Sequence, residues 1–273
     1  MMKIGEHYKA LVLACIDHGD PRSPRGKECN ALVAQSFSWD VCPNVPKGIG
    51  FNKRFAIAEL MAIIADYNSV AWLAQFNQNI TQFSDDGKTF HGHYGERLSH
   101  QWGEQIDRLR RDPDTRQAVF QIWDWGLDCS FAAGGDKKDY PCNVVFQIHK
   151  GLDDEHDMSI FQRSSDLIWG LPYDHFVFGC ILDLICMELG FETGKVNRFI
   201  SDAHIYAPGV YYTEARIAAA SKDLEWGMWT PATSYSHFLS ASMEVITSWR
   251  DHKPASKLSL AAKALAKELG LCV

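Results

Sequence analysis

The chain has no Cys-x-x-Cys pair, no excess of basic charge, no apolar run long enough to span a bilayer, no internal repeat and no low-complexity linker. Its eight cysteines, at positions 15, 29, 42, 129, 142, 180, 186 and 272, are scattered without zinc-ligand spacing, which excludes a ribbon or finger. In a reducing compartment they are expected as thiols, most of them small buried hydrophobes. Lys and Arg total 27 against 34 Asp and Glu, a net charge of -7, so the chain lacks the concentrated basic face that non-specific nucleic-acid binding needs. A few arginines can still build a local anion pocket. The longest apolar stretch, Phe176 to Phe191, is interrupted by Asp183 and Glu188 and is shorter than the roughly 20 residues of a membrane span; it reads as a buried helix. The first twenty residues carry too little basic charge and too many acids for a signal peptide and read as an amphipathic helix. A soluble, cytoplasmic protein (host cytoplasm if viral) with neither nucleic acid nor membrane as partner is expected. There is no Walker or dinucleotide-binding motif. Gly134-Gly135 reads as an isolated turn, and His91-Gly92-His93, with no third ligand nearby, reads as a loop, so no metal is expected.

What is present is enough for a real core: 273 residues, 46% hydrophobic. Nothing marks a domain boundary, so residues 1–273 are read as one catalytic domain of α/β or α+β class. The first helix ends near Gly19, and Asp20 to Gly26, rich in turn formers, reads as a mobile loop. Ala31 to Val41 alternates as a strand does, followed by a Pro/Gly/Asn-rich connection to Asn52. Phe55 to Phe76 has apolar residues at helical spacing around Glu59. Ser99 to Arg111 is an amphipathic helix ended by Asp112-Pro113-Asp114. Gln117 to Trp123, Asn143 to His149 and Met158 to Arg163 are β-rich runs that should pair in one sheet, with Asp153 to Asp157 a solvated hairpin tip. Pro172 opens the long apolar helix, Val196 to Ile200 is a further strand, Pro208 starts another helical region, and Leu258 to Leu269 is a helix.

Three segments carry chemistry. They are Tyr140-Pro141-Cys142-Asn143, then Gln162-Arg163-Ser164-Ser165-Asp166 with Gly170-Leu171-Pro172-Tyr173-Asp174, then Ser201-Asp202-Ala203-His204-Ile205-Tyr206. Singly each has a plain structural reading: a buried turn, a strand end, a capped loop. Their order and spacing together resemble the thymidylate synthase family. The resemblance extends to Gly19 through Arg25, Lys53-Arg54 before Glu59-Leu60, Tyr94-Gly95 and Asp112-Pro113-Asp114-Thr115-Arg116, covering most of the first 210 residues.

The resemblance implies an α+β, thymidylate synthase-like fold: a twisted mixed β-sheet with flanking helices, the sheet lying at a homodimer interface. It implies a pyrimidine nucleotide as substrate and 5,10-methylenetetrahydrofolate as cofactor. C5 of a pyrimidine is a poor nucleophile until something adds to C6, and a thiolate does this well. Cys142 matches the family nucleophile, and Arg163 would both bind phosphate and favour the thiolate. Arg25, Arg163 and Ser164 match phosphate ligands, and Gln162 belongs to the same substrate-binding motif. Arg116 matches one of two consecutive arginines that reach into the neighbouring subunit's site, the second being Gln117 here. His204 and Tyr206 match residues that hydrogen-bond the sugar hydroxyl, and Asp166 the carboxylate that meets the pterin. Glu59 and Tyr94 match the acid/base and water-organising groups, and Gly170 would let the backbone approach the ligand closely.

Three departures refine this. At the base-reading position the family has asparagine and this chain has Asp174. Cytosine offers a donor at N4 and an acceptor at N3, so a carboxylate accepts from N4 while a shared proton satisfies N3; uracil O4 would face lone pairs. The mismatch costs about 1–3 kcal/mol. Phage-type deoxycytidylate hydroxymethylases of the same superfamily resemble this chain in having aspartate here; the plain reading is an acid favouring the helix dipole. Second, there is no tryptophan between Trp72 and Trp102, where the family places one that shields the exocyclic methylene, so water can reach it; Phe83 is the aromatic that could fill the gap and favour hydride transfer instead. Third, Asn143 replaces the histidine usual after the cysteine.

The expected activity is therefore hydroxymethylation of dCMP or CMP at C5, with Cys142, Glu59, Tyr94 and Asp174 catalytic. The alternatives are C5 methylation with hydride from tetrahydrofolate and a catalytically silent nucleotide- or RNA-binding relative. Ribose and deoxyribose are not distinguished.

Overall fold

A computed structural model describes residues 4–40, 44–46, 50–129, 137–206, 226–228, 231, 233–253 and 257–271. The helix expected after Pro208, the turn at Gly134-Gly135, and Cys42 and Cys272 lie outside these residues.

Helix α1 (Ile4–His18) leads into β1 (Asp20–Arg22) and β2 (Cys29–Asp40). Asp20 to Gly26 is thus not simply a loop: β1 pairs antiparallel with the start of β2, and only Pro24 to Gly26 forms a turn, with Arg25 at φ 52°. After β3 (Asn44–Pro46) come α2 (Lys53–Ile64) and α3 (Val70–Ala74). The run Phe55 to Phe76 is broken because Asp66 takes a left-handed conformation (φ 49°) and Ser69 caps a new helix through the Trp72 amide. Then follow α4 (Tyr94–Leu98), α5 (Trp102–Arg111), β4 (Val119–Gln121), α6 (Trp125–Asp128), β5 (Asn143–Lys150), β6 (His156–Gln162) and β7 (Ser165–Asp166). The chain continues through α7 (Leu171–Leu189), β8 (Thr193–Tyr206), β9 (Trp226–Met228), α8 (Tyr235–Arg250) and α9 (Leu260–Glu268).

Seven strands form one mixed sheet in the order β1-β2-β8-β6-β5-β4, with β7 beside β8; β3 and β9 form a separate pair. The expected pairing of β4, β5 and β6 is antiparallel, and β6 runs parallel to β8. Because β8 is longer than Val196 to Ile200, Asp202, His204 and Tyr206 lie on a strand, and β7 places Asp166 opposite His204.

Helix α7 is apolar on nearly every side because it is covered on nearly every side, with Phe176, Phe178, Ile181, Leu182 and Ile185 fully buried. Pro172 sits in its first turn, and Gly190 at φ 73° ends it in the left-handed region. Beneath it Phe120 and Phe146 stack with ring centres 4.5 Å apart, and Phe146 meets the edge of Phe178 at 5.5 Å. A smaller core joins α1 to the sheet through Tyr8, Phe37, Trp39 and Ile205. Among the described residues no helix is long and apolar enough to cross a membrane. The acidic run Asp153 to Asp157 is only half a solvated tip. His156 is buried and stacks on Phe191 at 4.0 Å, while Asp157 accepts from the Lys195 amide at 2.7 Å.

One buried ion pair ties the loops beside the sheet together. Arg97 on α4 donates two hydrogen bonds to Asp128, at 2.5 and 3.0 Å, and further ones to the Ile122 and His91 carbonyls. Removing one partner leaves the other charge buried and unpaired. Asp128→Ala is therefore expected to lower unfolding free energy by about 3–5 kcal/mol, whereas the apolar double replacement Arg97→Met with Asp128→Leu recovers most of it. Urea denaturation of the three proteins checks this, and equal losses in single and double variants would contradict it.

Candidate active site

Cys142 stands just before β5, and its carbonyl accepts from the Arg163 amide at 3.0 Å. Its Sγ lies 3.9 Å from Nη2 of Arg163 and 3.8 Å from Oγ of Ser164. Burial pushes the thiol up; the Arg163 charge opposes this without overcoming it. Arg163 itself is fixed. Its Nε donates to the Pro141 carbonyl at 2.8 Å, Nη2 to the Tyr140 carbonyl at 3.1 Å and Nη1 to Ser164 Oγ at 3.2 Å, and its guanidinium lies over the Trp123 ring.

Asp174, in the first turn of α7, accepts at both oxygens: from Nδ2 of Asn143 at 2.9 Å and from Nε2 of Gln162 at 2.8 Å. The same Asn143 amide gives its other hydrogen to the Tyr94 hydroxyl at 2.9 Å. Gln162, fully buried, is held from behind by Nη1 of Arg198 at 3.0 Å to its Oε1. Arginine can only donate, so it sets the direction of the relay: Gln162 turns its NH2 towards Asp174, which is left an acceptor. Burial raises the Asp174 carboxyl and the Arg198 charge counters it. Sequence reasoning missed Arg198; its signal was a charge at a core position of a strand, between Val196 and Ile200.

Glu59, Tyr94 and Asp174 line one cavity of about 230 Å³, together with Ile80, Phe83, Phe90, His93, Asp139 and Val177. Burial first, then the charges of Asp174 and Asp139, raise Glu59 to about 8, so it is protonated at neutral pH. Burial lowers His93 to about 4, leaving it neutral, and raises the half-buried Tyr94 phenol well above its ordinary value. Ile80 and Phe83, from a short turn at Gln78–Phe83, form the wall in the stretch that has no tryptophan. His91 is engaged by Asp128 at 3.1 Å.

The residues expected to meet a sugar gather beside β7. His204 Nδ1 lies 3.2 Å from Asp202 Oδ1, the His204 and Tyr206 rings meet edge to face at 5.0 Å, and burial, with the Asp166 charge adding to it, raises the Tyr206 phenol. Asp166 Oδ1 accepts from the Ile168 and Trp169 amides at 2.8 and 3.0 Å, while burial raises its carboxyl. Gly170 has a fold reason: a Cβ there would stand 2.9 Å from the Asp166 carbonyl oxygen. Arg25 is exposed and donates to the Lys137 carbonyl at 3.3 Å. Arg116 does not join the cluster within one chain. It is exposed ahead of β4, with its carbonyl accepting from Gln147.

A sequence model of the family described as Thymidylate synthase matches residues 6–263. The deoxyuridylate hydroxymethyltransferase of Bacillus phage SP01 is 32% identical over 220 residues, covering 73% of this chain and 56% of that protein. That of Pseudomonas phage M6 is 32% identical over 163 residues, covering 57% of this chain and 45% of its own. The chain thus spans about half the length of the curated relatives it matches. Among solved structures, the thermostable thymidylate synthase A from Bacillus subtilis superposes with a TM-score of 0.67 at 18% identity, over 82% of this chain and 87% of that one; this likeness speaks for the mixed sheet with flanking helices.

The Glu59 carboxyl has a consequence for stability. Between its ordinary 4.5 and about 8 the folded chain holds a proton that the unfolded chain has lost, so this contribution falls as pH rises through that window. Melting temperature is expected to drop more steeply between about pH 5 and about pH 8 in the wild type than in Glu59→Gln. Parallel slopes in thermal denaturation would show that Glu59 is ionised in the fold.

Proposed function

Because this chain belongs to the thymidylate synthase family, we propose that it hydroxymethylates C5 of a pyrimidine nucleotide, with a cytidine monophosphate as the preferred substrate. The observation that carries this reading is the relay Arg198, Gln162, Asp174, which leaves the base-reading group an acceptor. Residues 1–273 are read as one catalytic domain working in the cytoplasm, that of a host cell if the gene is viral.

The cavity between Glu59 and the Ile80 and Phe83 wall, with Asp166 beside β7, offers an apolar surface and a carboxylate, which fits a pterin. 5,10-Methylenetetrahydrofolate supplies the one-carbon unit when bound there. Arg25, Arg163 and Ser164 hold the phosphate, with Arg116 contributed from a second copy, and His204 and Tyr206 meet the sugar hydroxyl. Cys142 Sγ, its thiolate favoured by Arg163 and Ser164 at 3.9 and 3.8 Å, adds to C6 and makes C5 nucleophilic. Asp174 accepts from N4 and shares a proton with N3. Glu59, protonated at neutral pH, and Tyr94 manage protons and water on the other side of the ring. With C5 bonded to the one-carbon unit, loss of the C5 proton and breakage of that carbon's bond to the folate nitrogen, with tetrahydrofolate as the leaving group, would leave an exocyclic methylene on the ring; water would add to it, and the thiolate would be expelled. The hydroxymethyl outcome is supported by the polar groups around the cavity, by the absence of a tryptophan between Trp72 and Trp102, and by the hydroxymethyltransferase activity for which the phage relatives are named.

A second reading takes deoxyuridylate as substrate. It is favoured by the relatives' names and by the raised Asp174 carboxyl: a neutral Asp174 donates to O4 and accepts from N3-H as asparagine would. Mass spectrometry of products from CMP, dCMP and dUMP with methylenetetrahydrofolate separates the two, and dominant turnover of dUMP would overturn the cytosine preference. Coupled formation of dihydrofolate would show methylation instead, and absence of tritium release from C5-labelled nucleotide by the folded protein would show a binding protein. Asp174→Asn is expected to shift the dCMP to dUMP ratio of kcat/KM towards dUMP by about tenfold to a hundredfold.

A homodimer through the open face of the sheet belongs to the same reading. Across that face Val145, Phe161 and Phe199 lie side by side on β5, β6 and β8, with Phe161 and Phe199 42% and 51% exposed, an apolar row that a second copy would cover. Phe161→Asp with Phe199→Asp is expected to yield monomers by sedimentation; an unchanged dimer would place the interface elsewhere.

A further inference from the structure

The hydroxymethyl reading leaves one proton without a destination. When water adds to the exocyclic carbon, the new C–O bond forms as a water O–H bond breaks, and the methylene π electrons move into the ring. Their return expels Cys142 from C6 and restores the C5=C6 double bond. A base has to receive the water proton. Glu59 already holds a proton at neutral pH, the Tyr94 hydroxyl accepts from Asn143, and Asp174 takes two amide hydrogens.

We infer that Asp139 is that base: it lies in the cavity of Glu59 and Tyr94 and is built into place by Gly92. The inference rests on the proposed hydroxymethyl outcome. Asp139 Oδ2 accepts from the Gly92 amide at 3.1 Å, and a Cβ on Gly92 would stand 2.7 Å from that oxygen, so a side chain at position 92 would push the carboxylate out of this place. No hydrogen bond to Oδ1 occurs among the described residues, which leaves that oxygen to orient a water. Asp139-Tyr140-Pro141-Cys142 is a short rigid link, since Pro141 locks its own φ, and it fixes the base relative to the nucleophile. Asp139 acts electrostatically on both Glu59 and Cys142. His91, Arg97 and Arg163 favour its ionised form, while burial, the larger effect, strengthens it as a base. A carboxylate of raised proton affinity beside a neutral glutamic acid is a division of labour between base and acid. His93 is the other candidate, but burial has reduced it to a weak base of about 4.

The test uses the full chain with dCMP or dUMP, methylenetetrahydrofolate and 2-mercaptoethanol, a thiol that captures an exposed exocyclic methylene as a thioether. Tritium release from C5 counts methylene formed, and mass spectrometry counts hydroxymethyl and thioether products. In Asp139→Asn, which can still accept from Gly92, hydroxymethyl product per tritium released is expected to fall about a hundredfold, the low end of what a general base contributes, with thioether rising in its place. Gly92→Ala, which displaces Asp139 without altering its chemistry, should shift the same ratio. An unchanged ratio in Asp139→Asn overturns the inference, as does proportional loss of tritium and product in both variants, which marks a structural role. A wild type that forms methyl product and dihydrofolate overturns the hydroxymethyl reading and this inference with it. A wild type that hydroxymethylates beside an Asp139→Asn that partitions identically overturns the inference alone.

Discussion

The arrangement around Asp174 depends on one constraint: a carboxylate placed at the start of a buried apolar helix must be supplied with hydrogen-bond donors. Two amides meet that need, Asn143 from β5 and Gln162 from β6, and the fully buried Arg198 on β8 orients the second. Three adjacent strands thereby converge on one carboxyl group. The register of β6 against β8, which puts Ile160 opposite Arg198 and Gln162 opposite Ile200, is what lets a guanidinium reach the amide. A slip of one residue would turn Arg198 to the opposite face and leave Asp174 buried without its relay.

The same burial that demands donors also sorts the titratable groups. Glu59 is raised to about 8 and stays neutral, His93 is lowered to about 4 and stays neutral, and the Cys142 thiol is raised while Arg163 draws it back. A thiol held above its ordinary range differs from the simple thiolate that a neighbouring arginine suggests. The physical reason is that burial is the larger effect on Cys142, whereas the Arg163 guanidinium is 3.9 Å away and already donates to two carbonyls.

Much of the fold was legible where periodicity had a single cause. Helix α7 could be read from its apolar run between Pro172 and Gly190, and the three runs forming β4, β5 and β6 from their β-branched and aromatic content. Errors fell where short segments depend on partners. β1 exists because β2 is beside it, α2 and α3 are separated by a left-handed Asp66, and the acidic run at Asp157 is drawn into the sheet by the Lys195 amide.

For the site, the order and spacing of short motifs, which resemble those of the thymidylate synthase family, marked Cys142, Arg163, Asp174, Glu59 and Tyr94 as a set. The sequence also puts aspartate at position 174, where the resemblance leads one to expect asparagine, and no tryptophan between Trp72 and Trp102. Only the tertiary structure decided what surrounds them. Arg198 and Asp139 carry no motif, and their significance comes from strands and loops distant in sequence that bring one behind Gln162 and the other beside Gly92. A hydrogen-bond direction and a proton affinity are properties of surroundings, and for a buried group the fold supplies those surroundings.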